Sequence, residues 1–163
     1  MKTRIISGTI GSVIFLFLIL KGGALLAIAV GLLVALGTWE LSRIAAAAGI
    51  KLSLPLLLAV NLLYILAQAL ALNGRASLHC GIEGLFFVLI LLFSFLLNLK
   101  AGISREGLLS ILAHLFGLVY PGMLFSYTLW LRTLPEAYGW KLLFLAFLVI
   151  WGSDTGAYFI GTA

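Results

Sequence analysis

Charge is what this chain of 163 residues has least of: 9% of its residues are charged, while 64% are hydrophobic. Soluble domains carry roughly 25% charged and about 45–50% apolar residues. A water-soluble domain of this length has no means of hiding so much apolar surface, so the chain is an integral membrane protein. Its single cysteine, Cys80, rules out an intrachain disulfide. Acidic residues number five against ten Lys and Arg, and only one of the five is an aspartate. The net charge of +5 is scattered over the predicted loops. It therefore reads as topology signal and lipid-headgroup contact, and no nucleic-acid partner is expected. The sequence shows no soluble domain, no disordered linker and no internal repeat.

What the chain does have is six apolar runs, each near the ~20 residues that cross the hydrocarbon core. They cover roughly 5–20, 22–39, 52–72, 81–99, 107–131 and 140–161. The runs are continuously apolar rather than alternating, which excludes membrane strands. The expected fold class is all-α: a polytopic integral membrane helical bundle of about six transmembrane helices in a single region, 1–163. The first two runs meet at Lys21-Gly22-Gly23 and form a tight hairpin or a partly immersed pair. Lys2 and Arg4 ahead of Ile10–Leu20 also have the look of a signal peptide, although five further spans make a cleaved signal unnecessary. With the N-terminus inside, six cations are cytoplasmic and four external, a mild positive-inside bias. That orientation puts Asp154 in the inner half of the membrane, about 21 Å along the last helix from Trp140.

Polar residues inside the runs recur at helical spacing. Asn61, Tyr64 and Gln68 share one face, Ser94 and Asn98 another, and Ser110, His114, Gly117 and Pro121 a third. Lipid cannot satisfy such groups, so these stripes point inward, either to interhelical hydrogen bonds or to a substrate cavity. His114 reads as a hydrogen-bonded core histidine rather than a base. Pro121 frees a backbone carbonyl and kinks its helix, and a neighbouring helix or Ser126 is expected to satisfy that carbonyl. Gly23, Ala27, Gly31 and Ala35 form a small-residue ladder for close helix packing. His79, Cys80 and Glu83 are three mixed ligands with no fourth, a weak metal signal. Trp39 is an interfacial anchor, and Glu40 is positioned to pair with Arg43 at i,i+3.

The last run carries the lone aspartate. In Gly152-Ser153-Asp154-Thr155-Gly156-Ala157-Tyr158-Phe159-Ile160-Gly161, a carboxylate at membrane depth has a functional reading by default. As a continuous helix the segment presents Gly152 and Gly156 on one side, with Asp154 and Tyr158 roughly opposite. If the glycines break the helix instead, exposed backbone N–H groups become available to phosphate. Either arrangement suits Mg²⁺, which binds through one or two carboxylates together with substrate phosphates. The bland alternative is an Asp154 that caps a helix break or pairs with a buried cation.

These residues closely resemble the "DTGAYFxG" stretch of the phosphatidate cytidylyltransferase (CDP-diacylglycerol synthase) family. Lys2-Thr3-Arg4-Ile5-Ile6-Ser7-Gly8, Gly22-Gly23, Glu40 and Leu118-Val119-Tyr120-Pro121-Gly122 agree with that family's earlier segments, so the resemblance spans the chain. It implies a multi-pass enzyme of the cell inner (plasma) membrane that converts CTP and phosphatidic acid to CDP-diacylglycerol and pyrophosphate, with Mg²⁺ as cofactor. It implies Asp154 as a catalytic and metal-binding residue, and Ser153, Thr155, Gly156 and Tyr158 as part of the substrate and nucleotide cavity, on the cytoplasmic side. Membrane lipids and a homodimer are the implied partners. The family's "SPKKTxEG" segment and C-terminal signature do not occur in these residues. The expectation is an N-terminal part that is inactive by itself. A transporter or channel component using Asp154 as a cation or proton site is the rival reading, with a non-catalytic scaffold as a third.

Overall fold

The computed structural model describes the backbone of residues 2–72, 78–99, 104–134 and 138–161, and their side chains except those of 2–7, 9, 72, 78–80 and 159. These residues form helices α1 (Lys2–Lys21), α2 (Gly23–Ala47), α3 (Leu54–Leu72), α4 (Leu78–Asn98) and α5 (Arg105–Gly117). A π-helical turn (Leu118–Met123), α6 (Leu124–Thr133) and α7 (Gly139–Gly161) follow. No strand occurs among the described residues. Five helices among them are long and apolar enough to cross a membrane, with α5, the π turn and α6 acting as one continuous span. A shorter apolar helix, Ile10–Lys21, belongs to α1. The expected all-α polytopic bundle is thus the fold observed.

Local chemistry sets where the helices stop. Gly22 (φ +61°) and Gly23 (φ +57°) take the left-handed backbone that ends α1. α2 runs eight residues past its expected end at Trp39, because Leu41 to Ala48 are good helix formers and nothing breaks the ladder before Gly49. There, at φ +71°, the Gly49 N–H donates to Ala46 O (3.1 Å) and the Ile50 N–H to Ala45 O (2.8 Å), the paired bonds of a Schellman cap. At the other polarity, Ser104 Oγ accepts from the Gly107 N–H at 3.1 Å and caps the start of α5.

The chain divides into two compact units, Ala27–Leu129 and a second made of Met1–Leu26 with Trp130–Ala163. In the first, Leu57, Val60, Ile90 and Leu118 form a buried core, with Leu41, Phe86 and Leu115 packed against it. Glycines let its helices come together: a Cβ on Gly117 would collide with Leu57, and one on Gly37 would touch Pro121 at 3.4 Å. Gly31, from the expected small-residue ladder, faces Ile65 and Leu62 of α3. In the second unit, α1 packs along α7, and the Phe15 and Phe147 rings meet at 3.8 Å. Arg132 holds the end of α1 there, donating from Nε to Ile19 O (2.8 Å) and from Nη2 to Leu20 O (3.3 Å). It thereby satisfies carbonyls that a helix C-terminus leaves open.

Candidate functional site

The polar stripes turn inward, as their spacing requires. Asn61, Tyr64, Gln68, Ser94, Ser110, His114 and Ser126 are all buried. Their hydrogen bonds go to one another and to nearby backbone. Tyr64 sits at the centre of one group: Gln68 Nε2 donates to its hydroxyl (2.9 Å), and Ser126 Oγ (3.0 Å) and Glu83 Oε1 (3.3 Å) lie within reach of its proton. Ser126 Oγ donates in turn to Met123 O at 2.7 Å. Asn98 Nδ2 ties α4 to α5 through Ser110 Oγ (3.2 Å) and also donates to Ser94 O (2.8 Å).

His114 is fully engaged. Its Nε2 accepts from the Ser53 N–H at 2.9 Å, and Nδ1 faces Ser110 O at 2.7 Å. A backbone N–H only donates and a carbonyl only accepts, so the proton is on Nδ1 and the ring is neutral. No nitrogen remains for a metal or a substrate proton, in accord with the core-histidine expectation. The ring instead fastens the start of α3, where Pro55 fits the first turn because its missing N–H has no partner there anyway.

Around Pro121 the helix widens rather than simply kinking. A proline cannot donate to the carbonyl four residues back, here Gly117 O, and the i→i−5 register of the π turn carries the ladder past it. Asn61 of α3 adds a donor from outside: its Nδ2 bonds Gly117 O at 3.1 Å and Thr38 Oγ1 at 2.8 Å. The neighbouring helix, and not Ser126, supplies that partner. Asn61 Oδ1 is left as the buried side-chain atom without a hydrogen bond among the described residues.

One expectation fails here. Glu40 forms no ion pair with Arg43, whose guanidinium lies over the Trp39 ring, 5.1 Å from its centroid. The single ion pair described joins exposed Lys51 and Glu106 at 4.0 Å, a geometry worth little. Of the weak metal signal at His79, Cys80 and Glu83, only the Glu83 side chain is described, its Oε1 3.3 Å from the Tyr64 hydroxyl; the side chains of His79 and Cys80 lie outside the described residues. Sequence reasoning also passed over Thr38 and Arg132. Thr38 has no polar residue one turn before it, and its Oγ1 donates to the Val34 carbonyl (2.7 Å) as a lone hydroxyl in an apolar run. Arg132 has no local signal, its partners being 112 and 113 residues away.

On α7 the glycines do not break the helix, which runs unbroken to Gly161. Ser153, Asp154, Thr155 and Tyr158 are exposed and Gly156 is half-buried. Asp154 and Tyr158, one turn apart, share a face. Asp154 has no ion pair among the described residues, so pairing with a buried cation does not account for it. Among the described residues, nothing beyond the helix's own neighbouring backbone lies within 4 Å of a Cβ position on Gly152, Gly156 or Gly161. This one helix therefore offers an accessible carboxylate, two hydroxyls, a phenol and a low glycine surface. Carboxylate oxygen is the ligand type that Mg²⁺ takes together with substrate phosphates.

A membrane helical bundle bearing such a stretch belongs to a recognisable class: the chain is a member of the cytidylyltransferase family, whose pattern it matches over residues 2–163. It is similar to a phosphatidate cytidylyltransferase of Bacillus subtilis (strain 168), with 32% identity over 165 residues. The alignment takes in 99% of this chain and 58% of the relative, so the chain spans less than two thirds of that protein's length. No solved structure matches it. Neither finding supports a transporter.

Proposed function

We propose that these residues are the membrane-embedded N-terminal part of a phosphatidate cytidylyltransferase. The reaction joins a phosphate oxygen of phosphatidic acid to the α-phosphorus of CTP, breaks the bond to pyrophosphate and yields CDP-diacylglycerol. The observation that carries this reading is a family match over residues 2–163, which takes in the exposed Ser153, Asp154, Thr155 and Tyr158. Asp154 is assigned to the reaction centre, on the cytoplasmic side of the plasma membrane, where CTP is available. Ser153 and Thr155 hydroxyls donate to phosphate oxygens, Gly156 keeps the helix surface low enough for phosphate to approach, and the Tyr158 phenol borders the same face.

The residues present fit Mg²⁺ in part. Asp154 is a hard-oxygen ligand, and no group of three His, Cys, Asp or Glu gathers among the described residues. Mg²⁺ characteristically takes one or two carboxylates and fills its shell with substrate phosphates and water, so Asp154 suits a contributing ligand rather than a complete cage. When bound, the ion neutralises charge on the departing pyrophosphate. The open small-residue face of α7 is also suited to a second copy of the chain, as in a homodimer.

The test uses the protein encoded by the complete reading frame that contains these residues, assayed in membranes for CTP- and phosphatidate-dependent formation of CDP-diacylglycerol. Asp154→Asn is expected to lower the rate about 100-fold or more, the scale of losing a group that stabilises transition-state charge, with membrane insertion unchanged. A variant that keeps its activity removes Asp154 from the reaction centre. A wild-type protein that makes no product sinks the functional reading itself.

A further inference from the structure

Three cations gather at one end of the α1–α7 pair, and the proposed reaction uses none of them. Phe15 and Phe147 mark a common level on the two helices. Lys21 stands six residues after Phe15 and Lys141 six residues before Phe147, each about 9 Å along its helix toward the same end. The direction is fixed because Arg132, just ahead of α7, bonds the last carbonyls of α1. Aromatic rings position both lysines: Lys21 Nζ is 5.9 Å from the Phe17 centroid, and Lys141 Nζ is 5.6 Å and 5.7 Å from those of Tyr138 and Trp140. Both lysines are exposed. The sequence offers this end one acid, Glu136, which lies outside the described residues.

Below the cations the surface turns apolar, with Phe17, Leu20, Leu142 and Leu145 exposed. Asp154 is 13 residues beyond Lys141, about 20 Å further along α7. The cationic end is therefore distinct from the stretch assigned to the reaction.

We propose that this end of the α1–α7 pair binds the headgroup of an anionic phospholipid, with its phosphate among Lys21, Arg132 and Lys141 and its acyl chains along the apolar flank. Tyr138 and Trp140 are the ring types that settle at headgroup depth, and basic side chains at that depth attract anionic lipid. The apolar surface directly beneath the cations selects a lipid over free phosphate, which has nothing to place there. Arg132 keeps its capping bonds to α1 and adds its remaining N–H groups to the site, so lipid binding and the end of α1 are linked.

The experiment purifies the full chain from bilayers of phosphatidylcholine containing a minority of phosphatidylglycerol and measures the ratio of the two lipids retained, by mass spectrometry. Wild type is expected to be enriched in phosphatidylglycerol. Each lysine neutralised in Lys21→Gln and Lys141→Gln lowers the enrichment about fivefold, equivalent to ~1 kcal/mol per cation. Lys21→Arg with Lys141→Arg preserves it, and Lys51→Gln, in the other unit, leaves it unchanged. Should the neutralised protein fail to fold, salt raised to about 0.5 M is expected to collapse the wild-type preference through screening. Absence of enrichment in wild type, full enrichment in the double Gln variant, or an equal loss in Lys51→Gln overturns the proposal, as does indifference to salt.

Discussion

Gly122 and Asn61 are predicted to be energetically coupled, and the coupling reverses the sign of a single substitution. A Cβ on Gly122 would stand 2.5 Å from Asn61 Oδ1 and 3.3 Å from Asn61 Cγ. Asn61 cannot step aside freely, because its Nδ2 is committed to Thr38 Oγ1 and Gly117 O. Moving it sacrifices bonds that average about 0.6 kcal/mol, and at most ~1.7, between membrane helices, and forced overpacking costs about 1–3 kcal/mol. Against this, alanine favours a helix over glycine by about 0.8–1 kcal/mol. The clash outweighs that gain, so Gly122→Ala is expected to destabilise the wild-type protein by about 1–2 kcal/mol. With Asn61→Ala in place the obstructing amide is gone and only the propensity gain remains, so Gly122→Ala becomes neutral or stabilising. The measurement is a double-mutant cycle of unfolding in mixed micelles, followed by the fluorescence of the four tryptophans. Additive effects, within the ~0.5 kcal/mol seen for independent sites, would refute the packing argument.

Two further perturbations probe other joints. His114→Ala removes the acceptor of the Ser53 N–H; a net bond of about 0.5–1.5 kcal/mol translates into amide exchange at Ser53 roughly 2–13-fold faster, read by hydrogen–deuterium exchange, and unchanged exchange would show that the ring does not hold the start of α3. Gly22→Ala and Gly23→Ala both impose left-handed strain of about 1–2 kcal/mol, but only a Cβ at Gly22 meets a neighbour, Arg132 Nε at 3.0 Å, whereas Gly23 has open space. Gly22→Ala is therefore expected to lower the melting temperature in detergent more than Gly23→Ala, and equal losses would deny Arg132 its place against the end of α1.

The inward stripes were legible in the sequence because a 3.6-residue period and the absence of water in lipid together dictate which way Asn61, Tyr64, Gln68 and His114 must face. Their partners were not. Asn61 meets Thr38 and Gly117 across 23 and 56 positions, and Arg132 reaches Ile19 across 113; such pairings follow from how helices pack, which no local pattern encodes. Local patterns also misled where two short-range options competed. Arg43 had Glu40 at i+3 spacing and Trp39 at i+4 spacing, and the ring won. At Pro121 the missing N–H foretold a disturbed ladder, yet whether the helix kinks or widens depended on Gly117 and Gly122, whose lack of side chains lets α3 approach.

The rule that an ionisable group at membrane depth signals function discriminates only after its bonds are counted. His114 satisfies the rule and spends both nitrogens on backbone groups. Glu83 satisfies it and lies against a phenol whose own partners, Gln68 and Ser126, complete an internal network. Among the described residues of the Ala27–Leu129 unit the buried side-chain polar atoms bond within the protein, Asn61 Oδ1 excepted, so their chemistry is consumed in holding helices together. Asp154 differs in kind: it is exposed, on a continuous helix, beside exposed hydroxyls and glycines that no neighbouring atom fills. In so weakly charged a chain, an exposed carboxylate that takes no part in the internal hydrogen-bond network is what makes Asp154 the residue to test first, by the Asp154→Asn assay proposed above.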